Sequence, residues 1–133
     1  MRPIAAMAAL LAVPLGLFAC TPQRADVGRA FFTANCAACH GEDGRGGELA
    51  MDLPRPVPDL TTIAARNGGV FDRNAVMSMI DGYYRRDDPN HPMPEFGATM
   101  EGRVVMVETE PGVFSPTPEV LVGLADYLQS LQR

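Results

Sequence analysis

The feature that most constrains this chain is a run of five residues, Cys36-Ala37-Ala38-Cys39-His40. Two cysteines with two residues between them read as a redox dithiol or as half of a zinc site. With 3 Cys and 2 His in the whole chain, there is no second cysteine pair, and His91 is the only other histidine. A pair followed at once by histidine is instead the signature of c-type haem attachment. That chemistry accounts for each residue, since two thiols reach the two vinyl groups on one porphyrin edge and the next residue carries an imidazole under the iron. On this reading the cofactor is one covalently bound haem c, held by Cys36 and Cys39, with His40 as an iron ligand. The remaining ring nitrogen of His40 is expected to donate to a backbone carbonyl or similar acceptor. The haem also answers a problem of composition. A chain of 133 residues has room for one modest domain, and 12 Pro and 13 Gly imply much loop. Large apolar porphyrin faces can complete a core that regular structure alone leaves short.

The chain opens on Met1-Arg2-Pro3, a short positive start, followed from Ile4 to Ala19 by a stretch with no charged or strongly polar side chain. That pattern reads as a secretory signal and falls short of the roughly 20 residues of a spanning helix. Its end, Leu17-Phe18-Ala19-Cys20, resembles the lipobox of bacterial lipoproteins, although Phe18 stands where a small residue is more usual. The resemblance implies cleavage before Cys20 and acylation of that cysteine. Ordinary signal cleavage near this point and a retained N-terminal anchor are the alternatives. The domain expectation is therefore a signal peptide over 1–19, a short tether over 20–25 and a haem domain over 26–133. Export to the bacterial periplasm, with attachment to a membrane by a lipid anchor on Cys20, follows from the same reading. All 11 basic residues are arginine against 16 acidic ones, a formal net charge of -5. No basic run exists to follow a phosphate backbone, which excludes nucleic acid as a partner.

Local patterns give the expected elements. Asp26 is the expected N-cap of a first helix whose apolar Val27, Ala30 and Phe31 precede Cys36. Residues 41–60 hold four early glycines and then Pro54, Pro56 and Pro58, and so predict an irregular wrap. Its apolar Leu49, Met51, Leu53, Val57 and Leu60 are expected to touch the prosthetic group. Thr61 or Thr62 is expected to cap a short helix ending at Asn67-Gly68-Gly69. Asp72 is the expected cap of a helix over 73–82, with Val76, Met79 and Ile80 on one face. Val104-Val105-Met106-Val107 and Val113-Phe114 flank Glu110-Pro111-Gly112 and predict a small β-hairpin. The expectation for it is a shield over the haem edge, with a partner-recognition surface as the alternative. In the last helix Thr117 is the expected cap, Pro118 lies in the first turn, and Leu121, Leu124, Leu128 and Leu131 recur at spacings of three and four.

Taken in order, these residues resemble the class I cytochromes c, small monohaem electron carriers. Gly28, Phe32 and Cys36 resemble the family's first helix; Gly41 follows the histidine; Pro58-Asp59-Leu60 resembles the stretch leading to short helices beside the haem. Met93-Pro94-Glu95-Phe96-Gly97 resembles the segment bearing the sixth ligand, and Leu124-Ala125-Asp126-Tyr127-Leu128 the terminal helix. The likeness covers most of residues 25–131. It implies an all-α fold wrapped around one haem, here with the extra hairpin, and a terminal helix crossing the first one, so that Gly28 and Phe32 lie near Leu124, Tyr127 and Leu128.

The sixth ligand is a choice among several side chains. Met93 stands apart because Pro92 and Pro94 restrict the backbone on both sides of it. Met100 and His91 are the alternatives, and Met51, Met77, Met79 and Met106 are read as flexible core filler. Together these residues imply outer-sphere transfer of one electron between redox protein partners, a donor and an acceptor, with a membrane-bound respiratory complex among the candidates, and no enzymatic site. A haem protein with a labile sixth ligand, acting in catalysis or gas sensing, is the other reading, as is the haem subunit of a larger dehydrogenase or oxidase. Arg85-Arg86-Asp87-Asp88 reads as a solvated charged loop, with orientation of a partner or contact with a propionate as the alternative.

Overall fold

Helix α1, Arg24–Asn35, begins at Gln23. Asp26, the expected cap, sits one turn inside and reaches back, its carboxylate accepting the Gln23 N–H at 3.3 Å. A carboxylate there satisfies an otherwise orphaned donor and complements the positive end of the helix. This computed structural model describes residues 23–85, 88 and 90–133. The expected signal segment, Cys20 and the first part of the tether lie outside the described residues, as do Arg86 and Asp87.

The buried face of α1 is the one the family resemblance implies, with Gly28 and Phe32 at the crossing, and not the one its apolar spacing suggests. Val27 is 39% exposed and Ala30 is exposed, while Gly28 and Phe32 are buried. The reason is the partner helix, α5, Glu119–Ser130. A Cβ built on Gly28 would lie 2.0 Å from the Gly123 carbonyl oxygen, and one on Gly123 would lie 2.4 Å from that of Arg24. The two backbones touch, and only a pair of glycines permits it. Phe32 then fills the space beside the crossing against Tyr127, with ring centroids 5.3 Å apart. Apolar periodicity alone selects bulk for the interface; here the crossing selects its absence.

Helix α5 starts one residue later than a Thr117 cap suggests. Thr117 belongs to the preceding strand, Pro118 occupies the cap position, and no side chain caps the helix. Leu121, Leu124 and Leu128 are buried as their spacing predicts, and Leu131 packs against the core just past the helix end.

Four-residue α2, Ala37–His40, follows α1 after Cys36 and is closed by turns: the Gly46 N–H donates to the His40 carbonyl at 2.7 Å and the Gly47 N–H to that of Cys39 at 2.9 Å. The wrap to residue 60 is irregular apart from a 3-10 turn at Glu48–Asp52. A second 3-10 turn, Leu60–Thr62, leads into α3, Ile63–Arg66, where Asp59 accepts from the Thr61 N–H and neither threonine caps by its side chain. Helix α4, Arg73–Asp81, has the expected cap, with the Asp72 carboxylate accepting from the Ala75 N–H at 2.9 Å. It ends at Gly82, whose φ of 106° is the left-handed conformation that glycine supplies at a helix C-terminus. Its deepest residues are Met77 and Ile80, with Val76 half-buried and Met79 40% exposed.

Strands β1, Val104–Glu110, and β2, Val113–Pro118, form the expected hairpin, the sole sheet of the described residues, with the second strand longer than the sequence suggests. The fold is thus mostly helical with one small antiparallel sheet. Among the described residues no helix is long and apolar enough to cross a membrane.

Candidate functional site

One cavity of about 310 Å³ collects the side chains that the sequence singles out. Cys36, Cys39 and His40 stand on one part of its wall, and His91, Met93 and Phe96 on another. Phe32, Leu124 and Leu128 enter from the α1–α5 crossing, Leu53, Val57, Leu60 and Ile63 from the wrap and α3, and Val76, Met79 and Ile80 from α4. The volume and the apolar lining are those of a small-molecule or cofactor site. Leu49 and Met51, expected to touch the prosthetic group, do not line it and are 51% and 86% exposed. A 3-10 turn places successive side chains around its circumference, so alternate apolar residues there do not share one inward face.

Each wall has a local cause. Because α1 runs nearly into α2, Cys36, Cys39 and His40 are held by consecutive helical backbone, with the His40 N–H donating to the Cys36 carbonyl at 2.9 Å. Cys36 and Cys39 are not joined to each other in a disulfide. Burial, helped by the neighbouring Cys39, pushes the Cys36 thiol up to about 11, so it is a neutral sulfur at neutral pH. Burial also lowers the pKa of His40, which favours the neutral imidazole and its free lone pair. The methionine segment is fixed differently. The Met93 N–H donates to His91 Nδ1 at 3.2 Å, and the Phe96 N–H to the Ile80 carbonyl at 3.1 Å, which ties the segment to the end of α4. Phe96 also meets Phe31 of α1 edge to face, at 6.0 Å between centroids.

The alternatives for the sixth ligand separate by location. Met100 is 8% exposed and sits in the core cluster, off the cavity wall; Met77 is likewise buried elsewhere, and Met51 and Met106 face outward. Met93, Met79 and His91 remain on the wall. His40 departs from its expected arrangement in one respect: its Nδ1 is buried with no hydrogen-bond partner among the described residues, where a backbone carbonyl or similar acceptor is expected. Among the described residues no three His, Cys, Asp or Glu side chains converge on a common metal position, so the zinc half-site has no second half.

Arg55 was missed in the sequence. It lines the cavity and pairs with Asp88 at 2.7 Å, which joins Asp88 to the wall. The available signal was its placement, a lone charge between Pro54 and Pro56 in an otherwise apolar run. No hairpin residue lines the cavity. Val105 and Val107 pack on the core instead, and Asn74 of α4 donates to the Thr109 carbonyl at 2.9 Å, so the hairpin does not shield this site.

The residues present suit a haem. Two neighbouring cysteines, a neutral imidazole, a thioether and an apolar enclosure are the donor set and surroundings that would suit a covalently held porphyrin. Fold and cavity together define a small helical domain built around a prosthetic group. The chain belongs to the cytochrome c family, whose pattern it matches over residues 25–132. Comparison with curated proteins and with solved structures returned no match. Family membership implies a haem c cofactor, a redox role in electron transfer with redox partners, and the part of a carrier rather than of an enzyme.

Proposed function

We propose that the chain is a class I, single-haem electron carrier, transferring one electron at a time between redox proteins outside the cytoplasm. The observation that carries the proposal is the convergence of Cys36, Cys39, His40 and Met93 on one apolar cavity. In this reading Cys36 and Cys39 would hold the haem covalently, and His40 and Met93 would supply nitrogen and sulfur to its iron. When bound, the haem supplies reversible one-electron exchange.

The residues around it set the terms of that exchange. A thioether from Met93 paired with the His40 imidazole favours the reduced state more than two nitrogens do, which raises the potential. The apolar walls from α4 and α5 exclude water and keep the ligand set unchanged between oxidation states. Arg55, at the cavity with Asp88, supplies positive charge for an acidic group of the cofactor. No described constellation acts on a bound substrate. Residues 1–19 are proposed as a cleaved signal peptide, 20–25 as a tether and 26–133 as the haem domain. Acylation of Cys20 then holds the protein at a membrane face of the periplasm, where membrane-bound respiratory complexes are natural donors and acceptors.

Absorption spectra of the oxidised, reduced and carbon monoxide-treated reduced protein test the reading. Low-spin spectra with a weak far-red ferric methionine band, and no rapid shift with carbon monoxide, are expected. A high-spin ferric spectrum or rapid carbon monoxide uptake overturns stable methionine ligation and transfers the weight to catalysis or sensing.

A further inference from the structure

The hairpin presents an outer apolar face that nothing in the described fold covers. Alternation along β1 turns Val105 and Val107 inward and Val104 and Met106 outward. Cross-strand pairing of Met106 with Pro116 and of Glu108 with Phe114 puts Pro116 and Phe114 on the same outer face. Val104, Met106 and Phe114 are 56%, 61% and 56% exposed, well beyond what single scattered surface residues require. The patch does not serve the haem cavity, to which the hairpin contributes no residue.

The start of the described chain lies at the base of this hairpin. Arg24, the first residue of α1, is 4.0 Å from the Glu119 carboxylate, and Arg103, which directly precedes β1, is 3.8 Å from the same group. The Glu119 N–H also donates to the Arg103 carbonyl at 2.8 Å. Cys20 precedes Arg24 by four residues, which at about 3.5 Å each span at most about 14 Å. A lipid attached at Cys20 therefore keeps Arg24 within about that distance of the attachment point, and the hairpin base one arginine side chain beyond it.

We propose that the outer face of the hairpin, centred on Val104, Met106, Phe114 and Pro116, rests on the lipid surface that holds the acylated chain. The proposal depends on the lipid anchor described above and adds an orientation to it. Acyl chains supply the affinity, and a short tether presents the apolar face at high effective concentration, so modest burial suffices to orient the domain. Arg24 and Arg103, 48% and 76% exposed at their side chains, stand where headgroup phosphates lie. The acidic Glu108 on this face is turned to the hairpin end, where it accepts the Gly112 N–H at 2.8 Å. The face and the cavity share no residue, so lipid contact at the hairpin takes no side chain from the haem site.

The test uses the full chain made in a bacterium that acylates lipoproteins, with the acyl mass on Cys20 verified by mass spectrometry. Spin labels are placed by Met106→Cys and, as a control outside the hairpin, Met51→Cys, and the haem protein is bound to vesicles of phosphatidylethanolamine and phosphatidylglycerol. The label at 106 is expected to lose accessibility to a water-soluble nickel chelate severalfold on binding, while the label at 51 keeps it. Equal accessibility at both positions in the acylated protein overturns the docking face and leaves the anchor standing. Absence of the acyl mass overturns the anchor itself and the orientation with it. Protection at 106 without vesicles, accompanied by a doubled sedimenting mass, assigns the face to a second copy and also overturns the proposal.

Discussion

An added methyl group at Gly28 meets backbone rather than a movable side chain, with the Gly123 oxygen 2.0 Å from the position of its Cβ. Gly28→Ala is expected to push α1 from α5 and cost on the order of 3 kcal/mol, measured by chemical unfolding. Phe32, 1% exposed beside that crossing, is expected to cost about 3–5 kcal/mol on truncation to alanine. Met93 and Met100 make the sharper comparison, because one lines the cavity and the other fills the core. Met93→Ala is expected to open the reduced protein to carbon monoxide and lower its potential. Met100→Ala is expected to lose about 2–5 kcal/mol of stability and keep the parent spectrum. Spectra and unfolding curves of the two variants distinguish ligand from filler. Cys36, Cys39 and His40 stand out in the sequence by their fixed local order and Met93 by its flanking prolines, and all four line the one cavity. The Nδ1 of His40, without a partner among the described residues, was not legible there, since its surroundings come from chain segments distant in sequence.

At the scale of elements, the C-terminus forms a clasp on the wall of the cavity. The Arg133 Nε donates to the Thr61 hydroxyl at 2.8 Å, and that hydroxyl donates to the Asp59 carboxylate at 2.6 Å, which also accepts from the Arg133 guanidinium at 3.0 Å. Gln132 donates to the Leu60 carbonyl and accepts from the Ala64 N–H, so the last turn is stitched to the segment that supplies Leu60 and Ile63 to the site. The Thr61 hydroxyl first, then its N–H and Arg133, hold the Asp59 carboxyl below its ordinary 3.8 against an opposing effect of burial. By linkage, a depressed folded pKa contributes stability above 3.8 that is lost as pH falls through the folded value. Asp59→Asn is expected to flatten the decline of stability with acid below that pH, as read from urea unfolding midpoints. Removing the Asp72 cap of α4 by mutation to alanine is expected to cost about 1 kcal/mol on the same measure. The Asp72 cap and the Gly82 stop were readable from spacing alone, as was the hairpin turn. The start of α5 was not, because strand pairing of Thr117 with Val105 competes with its capping role and wins.

For the whole molecule, the cavity implies that folding and cofactor binding are linked, since a group that fills an apolar enclosure in the folded state alone stabilises it. A variant carrying Cys36→Ser and Cys39→Ser is expected to release haem on denaturing extraction and to unfold at lower denaturant than the parent. Covalent retention of haem by that variant argues against attachment at these sulfurs. The sequence by itself determined the Cys36-to-His40 run, the Asp72 cap and Gly82 stop of α4, the leucine stripe of α5 and the order of segments that places the chain among the cytochromes c. Those are properties of neighbouring residues, and local chemistry suffices to read them. Tertiary structure alone decided that Gly123 answers Gly28, that Met100 is buried in the core off the cavity wall, that Arg55 joins the wall, and that the hairpin turns its inner face to the core rather than to the cavity. Each of these depends on which surfaces meet after the chain has closed on itself, and a one-dimensional pattern of spacings does not contain that distance.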